Sequence, residues 1–188
     1  MKCPKCSQAP LGNLEISPNL IAQYCVECKG QWLSGENYEA WKAQQPSDSA
    51  PAIPVGLDIT FGRSELDTRA ALCPECSRYL SRAQVKIETP FFIDRCQQCG
   101  GIWCDYGEWD ALTQLGLNTC IEQLFEPRWQ NRIRQQQQRY SEHQAMVEKM
   151  GTALADRIFA LAEDLAEHPH GEYALAYLMR KVVYIKEK

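Results

Sequence analysis

Eight of the ten cysteines stand in pairs three residues apart, and the pairs are themselves paired. Cys3, Cys6, Cys25 and Cys28 read C-x2-C-x18-C-x2-C, and Cys73, Cys76, Cys96 and Cys99 read C-x2-C-x19-C-x2-C. Two Cys-x-x-Cys turns joined by a hairpin-length segment supply the four corners of a tetrahedron of soft thiolate ligands. The expected chemistry is structural zinc, two ions per chain. A rubredoxin-like iron site would use the same ligands for electron transfer. Thiol–disulfide exchange by isolated Cys-x-x-Cys pairs leaves the second pair at its fixed spacing unexplained. A metal closed by four cysteines keeps no position for water, so hydrolysis is not expected at either one.

The remaining reactive side chains are weaker candidates. Cys104 lies among Asp105, Glu108 and Asp110, with no cation to stabilise a thiolate, and Cys104 and Cys120 both read as small core residues. His168 and His170 flank Pro169 in a helix-breaking turn and read as solvated rather than as ligands. Arg128, Arg132, Arg134 and Arg139 fall in a stretch, 127–141, that has no acid and carries a glutamine run at 135–138. That segment is the candidate nucleic-acid contact, weak and salt-sensitive; an exposed helix face is the simpler account. No phosphate loop and no nucleophile–base pair is present in the sequence, so an enzyme is the least expected class.

The elements that must hold the cysteines are legible around them, and they repeat. Cys-Pro-Lys-Cys-Ser at 3–7 answers Cys-Pro-Glu-Cys-Ser at 73–77, Gly30-Gln31-Trp32 answers Gly101-Ile102-Trp103, and Gly35-Glu36 answers Gly107-Glu108. A duplicated module is the simplest reading. Between the cysteine pairs, Leu14–Ile16 and Leu20–Tyr24 flank the turn signal Ser17-Pro18-Asn19; Ala83–Glu88 and Phe91–Ile93 flank Thr89-Pro90. Each reads as a β-hairpin. Ser34 is the natural N-cap of a short helix in the first copy. Asp105 with Glu108 fits a capping box in the second, and Gly116 is placed to close that helix. Trp32 and Trp103 read as core against the metal turns. Neither copy has the size to build a core alone, so metal must supply much of its folding free energy.

The pattern Cys-Pro-x-Cys, hairpin, Cys-x-x-Cys-x-Gly-x-Trp and Gly-Glu resembles the zinc-ribbon family named after general transcription factor IIB, in its prokaryotic form. The resemblance covers 1–43 and 71–115. It implies a small metal-stabilised α+β fold: two tandem zinc ribbons, each a β-hairpin plus a short helix, with the eight paired cysteines as ligands. One departure stands in the second copy, where Cys104 occupies the position after the tryptophan that a bulky apolar residue such as Leu33 fills in the first.

The expected organisation is a first ribbon at 1–44, a Pro- and Ser-containing linker at 45–70, a second ribbon at 71–116 and a helical region at 117–188. The linker shows some strand character over Ile53–Phe61, and the sequence leaves open whether it docks on a ribbon or floats. From Arg128 to Ala166 the only glycine is Gly151, and Ile133, Tyr140, Val147, Leu154 and Leu161 recur at seven, which predicts a long helix broken near Gly151. A second helix, Glu172–Ile185, carries Leu175, Leu178, Val182 and Ile185 on one side, and the two are expected to form a C-terminal helical hairpin.

Composition bounds the rest. The 188 residues are 45% hydrophobic and 23% charged, with 20 Lys+Arg against 24 Asp+Glu for a net charge of −4. That apolar fraction excludes wholesale disorder. The longest apolar run, Tyr173–Met179, is seven residues, too short to span a bilayer. A cysteine motif that opens at Cys3 leaves no room for a secretory leader, and cytoplasmic residence is expected. Eight thiolates add −8 and two zinc ions +4, taking the metallated chain to about −8 and confining nucleic-acid affinity to the arginine-rich helix. The expected function is a non-catalytic zinc-binding protein whose double ribbon serves as a protein-interaction module, with a nucleic-acid-binding accessory factor as the alternative.

Overall fold

A computed structural model describes residues 1–6, 9–46, 59, 61–62, 64–87 and 89–186, the side chains of 184–186 excepted. Most of the strand reading at Ile53–Phe61 lies outside the described residues. The chain divides into two units, Met1–Arg134 and Gln135–Lys188.

The first unit holds both repeats in one six-stranded antiparallel sheet. Strands β1 (Leu11–Ser17), β2 (Leu20–Cys25) and β3 (Gln31–Leu33) come from the first repeat, and β4 (Ser81–Val85), β5 (Phe91–Arg95) and β6 (Ile102–Cys104) from the second; their order is β1-β2-β3-β6-β5-β4. The two hairpins form where the turn residues demand them. Asn19 sits at φ 63° between β1 and β2, a left-handed conformation that Asn tolerates because its short side chain bonds locally. The sheet is joined at its middle, where β3 pairs with β6 so that Trp32 faces Trp103, Gln31 faces Cys104 and Leu33 faces Ile102. The arrangement is twofold about the tryptophan pair.

Glycine makes this seam possible. A Cβ on Gly30 would lie 2.2 Å from Trp103 Cζ2, and one on Gly101 would lie 2.2 Å from Trp32 Cζ2. Each repeat therefore leaves a gap that the other repeat's indole fills. The short helices α1 (Gly35–Lys42) and α2 (Glu108–Gln114) meet through Trp41 and Trp109, edge to face at 5.6 Å. A common apolar core links Leu33, Tyr38, Phe91, Ile93, Ile102 and Leu112 with Ile121 and Leu124 of the 3₁₀ turn Ile121–Phe125. Trp129 and Ile133 complete it from the start of α3 (Pro127–Met150). The described end of the connecting segment also docks: Ile59 is buried and Phe61 meets the Phe91 ring edge-on at 5.0 Å.

The caps follow the sequence in one repeat and depart from it in the other. Ser34 Oγ accepts from Asn37 N at 3.2 Å, as an N-cap should. In α2 the N-cap is Gly107, with no side-chain cap. Half of the expected capping box is made, since Asp105 N donates to Glu108 Oε2 at 2.7 Å. The other half is not, because the Asp105 carboxylate accepts from the Trp103 indole at 2.8 Å instead. Gly116, at φ 68°, ends α2, with Leu117 N donating back to Leu112 O at 2.8 Å.

In the second unit α3 ends at Met150, Gly151 breaks the helix at φ 78°, and α4 runs Thr152–Glu167. His143 stacks on Phe159 at 5.0 Å, with Nε2 3.0 Å from Asp156 Oδ1. After the turn at 168–170, α5 (Gly171–Lys186) packs on α4.

Candidate metal centres

Each quartet of cysteines gathers where two backbone turns face each other. In the first, Cys3 and Cys6 lie on the turn before β1, and Cys25 and Cys28 on the turn after β2; Lys29 N donates to Cys25 O at 2.8 Å and Cys25 N to Gly30 O at 2.9 Å, closing that turn. The second repeats the pattern, with Gly100 N donating to Cys96 O at 3.0 Å and Cys96 N to Gly101 O at 2.8 Å. Amide donors point at the sulfurs: Cys6 N lies 3.4 Å from Cys3 Sγ, and Cys76 N lies 3.4 Å from Cys73 Sγ.

The sulfurs converge. Cys3 and Cys28 are 3.5 Å apart, Cys6 and Cys25 3.6 Å, Cys73 and Cys99 3.5 Å, and Cys76 and Cys96 3.4 Å. All four ligand atoms of each set lie within 4.8 Å of one another. A tetrahedral thiolate shell at the Zn–S distance of about 2.3 Å has edges of about 3.8 Å, whereas a disulfide would need about 2.05 Å. The two quartets thus fit two zinc ions per chain, and none of the ten cysteines is disulfide-bonded. Zinc held by four thiolates is a cross-link without an open coordination position.

Within each quartet the sulfurs share protons unequally: Cys3 and Cys96 are lowered, while Cys25, Cys28, Cys73 and Cys99 are raised. Cys3 is pulled down to about 4, chiefly because the Cys28 thiol donates to it, with the amides of Cys6 and Lys5 adding to the effect. Cys28, as that donor, is pushed up. For Cys96 burial pushes upward, but the amides of Cys99 and Gln98 and the Cys76 thiol outweigh it and bring the group to about 7. A divalent cation takes the place of the shared protons in such a cluster, so affinity rises with pH.

Residues 2–44 and 72–115 each match the family described as a transcription factor zinc-finger. Over these two stretches the chain is similar to zinc ribbons of the transcription-factor-IIB type, each with its own four-cysteine cluster. Comparison with curated proteins and with solved structures gives no match.

The two ribbons are joined by a feature that the sequence reading passed over, the variable residue of Cys-Pro-x-Cys. In the first ribbon it is Lys5, fully buried, with Nζ 2.6 Å from Asp94 Oδ2 and 3.6 Å from Asp105 Oδ2, both in the second ribbon, and donating to Arg69 O at 2.6 Å. In the second ribbon it is Glu75, whose Oε1 accepts from the Trp32 indole at 3.0 Å. The Lys5 site extends into a buried charge cluster. Arg82 Nε lies 2.7 Å from Asp94 Oδ1, its Nη2 lies 3.6 Å from Asp67 Oδ1, and Asp67 Oδ1 accepts from Phe92 N at 3.0 Å. Asp67, Asp105 and Glu108 bring carboxylate oxygens within 4.8 Å of one another. Lys5 and Arg82 offset this charge. Burial first, and the Asp105 charge second, push the Glu108 carboxyl well above the usual carboxylate range.

The leftover cysteines are buried as expected. Cys104 is fully enclosed, and burial, with Glu108, Asp105 and Asp94 nearby, pushes its thiol well up. Cys120 is raised by burial and then by Glu122, and its Sγ faces Leu117 O at 3.6 Å. Both settings disfavour the thiolate. Arg128, Arg132, Arg134 and Arg139 are all exposed on α3. His168 and His170 are exposed, with the His168 Nδ1 accepting from His170 N at 3.1 Å. No described helix is long and apolar enough to cross a membrane.

Proposed function

We propose that the chain is a non-catalytic zinc-binding protein whose fused double ribbon presents a docking surface to a protein partner. The observation that carries this reading is an open groove of about 390 Å³ between the two Cys-Pro turns, with Cys3 and Cys73 in its wall. Lys2, Pro4, Arg69, Leu72, Pro74 and Tyr79 line it. Leu72 and Tyr79 are 45% and 80% exposed, a cost to a surface that nothing covers. Their rigid apolar faces beside Lys2 and Arg69 suit a peptide with an apolar anchor next to acids. Closed four-thiolate sites support a structural rather than a chemical role for the metals.

The test uses the full zinc-loaded chain as bait in extract of its host. A partner retained by the natural chain and lost by Leu72→Glu with Tyr79→Ala, at unchanged zinc content, supports the reading. Identical capture by both forms overturns it. A second reading, nucleic-acid binding, rests on the exposure of Arg128, Arg132, Arg134 and Arg139 on one helix. It requires salt-sensitive retention on heparin that disappears when all four become alanine.

A further inference from the structure

The second unit, Gln135–Lys188, is nearly all surface. Among the described residues of α4 and α5 only Ala155 and Gly171 are buried, so this helix pair encloses no large apolar side chain. Its apolar residues stand outside instead. Leu154 and Leu161 on α4 are 46% and 42% exposed; on α5 Leu175, Leu178, Met179 and Val182 are 52%, 37%, 64% and 55% exposed. Tyr173, Tyr177 and Val183 add to them. Short helices gain most of their stability from tertiary packing of an apolar face, and this face is unpacked within the chain.

Two features identify what covers it. The first is area. On α5, Leu175, Leu178, Met179 and Val182 fall within about 100° of arc. With Leu154 and Leu161, which share a side of α4, they offer on the order of 500 Å² per chain, so that a pair buries about 1,000 Å², the lower bound for a specific interface. The second is the placement of charge. The three-residue turn sends α5 back along α4, so the pair has a turn end and an open end. Glu163, Asp164, Glu167 and Glu172 lie toward the turn, while Arg180 and Lys181 lie toward the open end. A second copy laid antiparallel sets each acidic end against a basic one, twice over, by the same contact in both directions. Parallel alignment would set like charges together.

We propose that the arm formed by α4 and α5 is a self-association element, and that two chains pair through it as an antiparallel four-helix arrangement. This interface is separate from the ribbon groove and from any partner held there. The experiment measures the mass of the full zinc-loaded chain by light scattering and sedimentation across micromolar concentrations. The expected result is twice the chain mass of 21.5 kDa. Leu175→Glu with Val182→Glu should halve that mass and leave zinc content unchanged, with some helicity lost as α4 and α5 lose their cover. Charge exchange tests the orientation. Glu163→Lys with Asp164→Lys, and separately Arg180→Glu with Lys181→Glu, should each weaken the dimer at least tenfold, and mixing the two variants should restore it. A chain of single mass throughout, a dimer indifferent to the Leu175 and Val182 changes, or variants that fail to rescue each other would overturn the proposal.

Discussion

The two ribbons agree at their metals and differ where they meet. Both place four sulfurs at nearly the same separations, both direct an amide at the first cysteine, and both press a tryptophan into the other's glycine. The residue between the first two ligands is a buried cation in one and an exposed anion in the other. Lys5 reaches across to Asp94 and Asp105, while Glu75 reaches across to Trp32. The metal geometry tolerates no divergence because four ligands must meet at one point. The position between them projects away from the metal, and there charge has been distributed unequally to bind one ribbon to the other.

That contrast can be broken at several places. The largest effect is expected at a ligand. Because both ribbons share one sheet and core, Cys25→Ser should release both zinc ions rather than one, with loss of the sheet signal in circular dichroism. Elemental analysis distinguishes the outcomes, and retention of one zinc would show that the ribbons fold independently. Each site carries on the order of 10 kcal/mol of coupled folding free energy.

Next comes the unequal pair. Lys5→Met removes the buried cation that Asp94 and Asp105 share, leaving Arg82 on Asp94 and the Trp103 indole on Asp105, and should cost about 3–5 kcal/mol. Glu75→Gln keeps an acceptor for Trp32 at an exposed position and should cost about 1 kcal/mol or less. Denaturant titration of both variants would read the difference directly, and equal costs would refute the asymmetry. The seam itself should behave evenly: Gly30→Ala and Gly101→Ala meet the same indole atom at the same distance, and each should cost about 1–3 kcal/mol.

The smallest effect is the pH dependence contributed by one carboxyl of the second ribbon. Glu108 has a folded pKa raised above its ordinary value of 4.5, so the fold favours its protonated form. Its contribution is complete below the unfolded pKa and is lost as pH rises toward the folded one. Glu108→Gln, uncharged at every pH, should therefore gain stability relative to the natural chain as pH increases above the ordinary carboxylate value of 4.5. Thermal melts at stepped pH would show it, and a difference that shrinks with rising pH would refute it.

The parts of the fold that were legible in the sequence are local. Ligand spacing, the Pro18-Asn19 turn, the Ser34 cap and the break at Gly151 each depend on a few adjacent residues, and each appears in the structure. The seam was not legible. β3 and β6 are three residues long, too short to show an alternating pattern, and they pair across most of the first unit. Lys5 ran against the ordinary rule that lysine stays at the surface, and only a partner distant in sequence explains its burial. Asp105 illustrates a different limit: the residue type and spacing for a capping box were present, but the Trp103 indole and Lys5 claimed its carboxylate. On α5 the apolar stripe was readable, though its exposure was not, because periodicity records which side of a helix is apolar and not whether anything lies against it.

The joining of Trp32 to Trp103 within one chain has a consequence for what the duplicated halves are free to become. A protein made of a single such module, completing its sheet with another molecule of itself, would have to carry the same residue on both sides of the junction. Lysine at both positions would leave the Trp32 indole without its acceptor, and glutamate at both would take from Asp94 and Asp105 the buried cation they share. Covalent linkage removes that constraint, because each side is encoded separately. Lys5 and Glu75 are opposite in charge at equivalent places, an arrangement open to two halves of one polypeptide and closed to two identical ones.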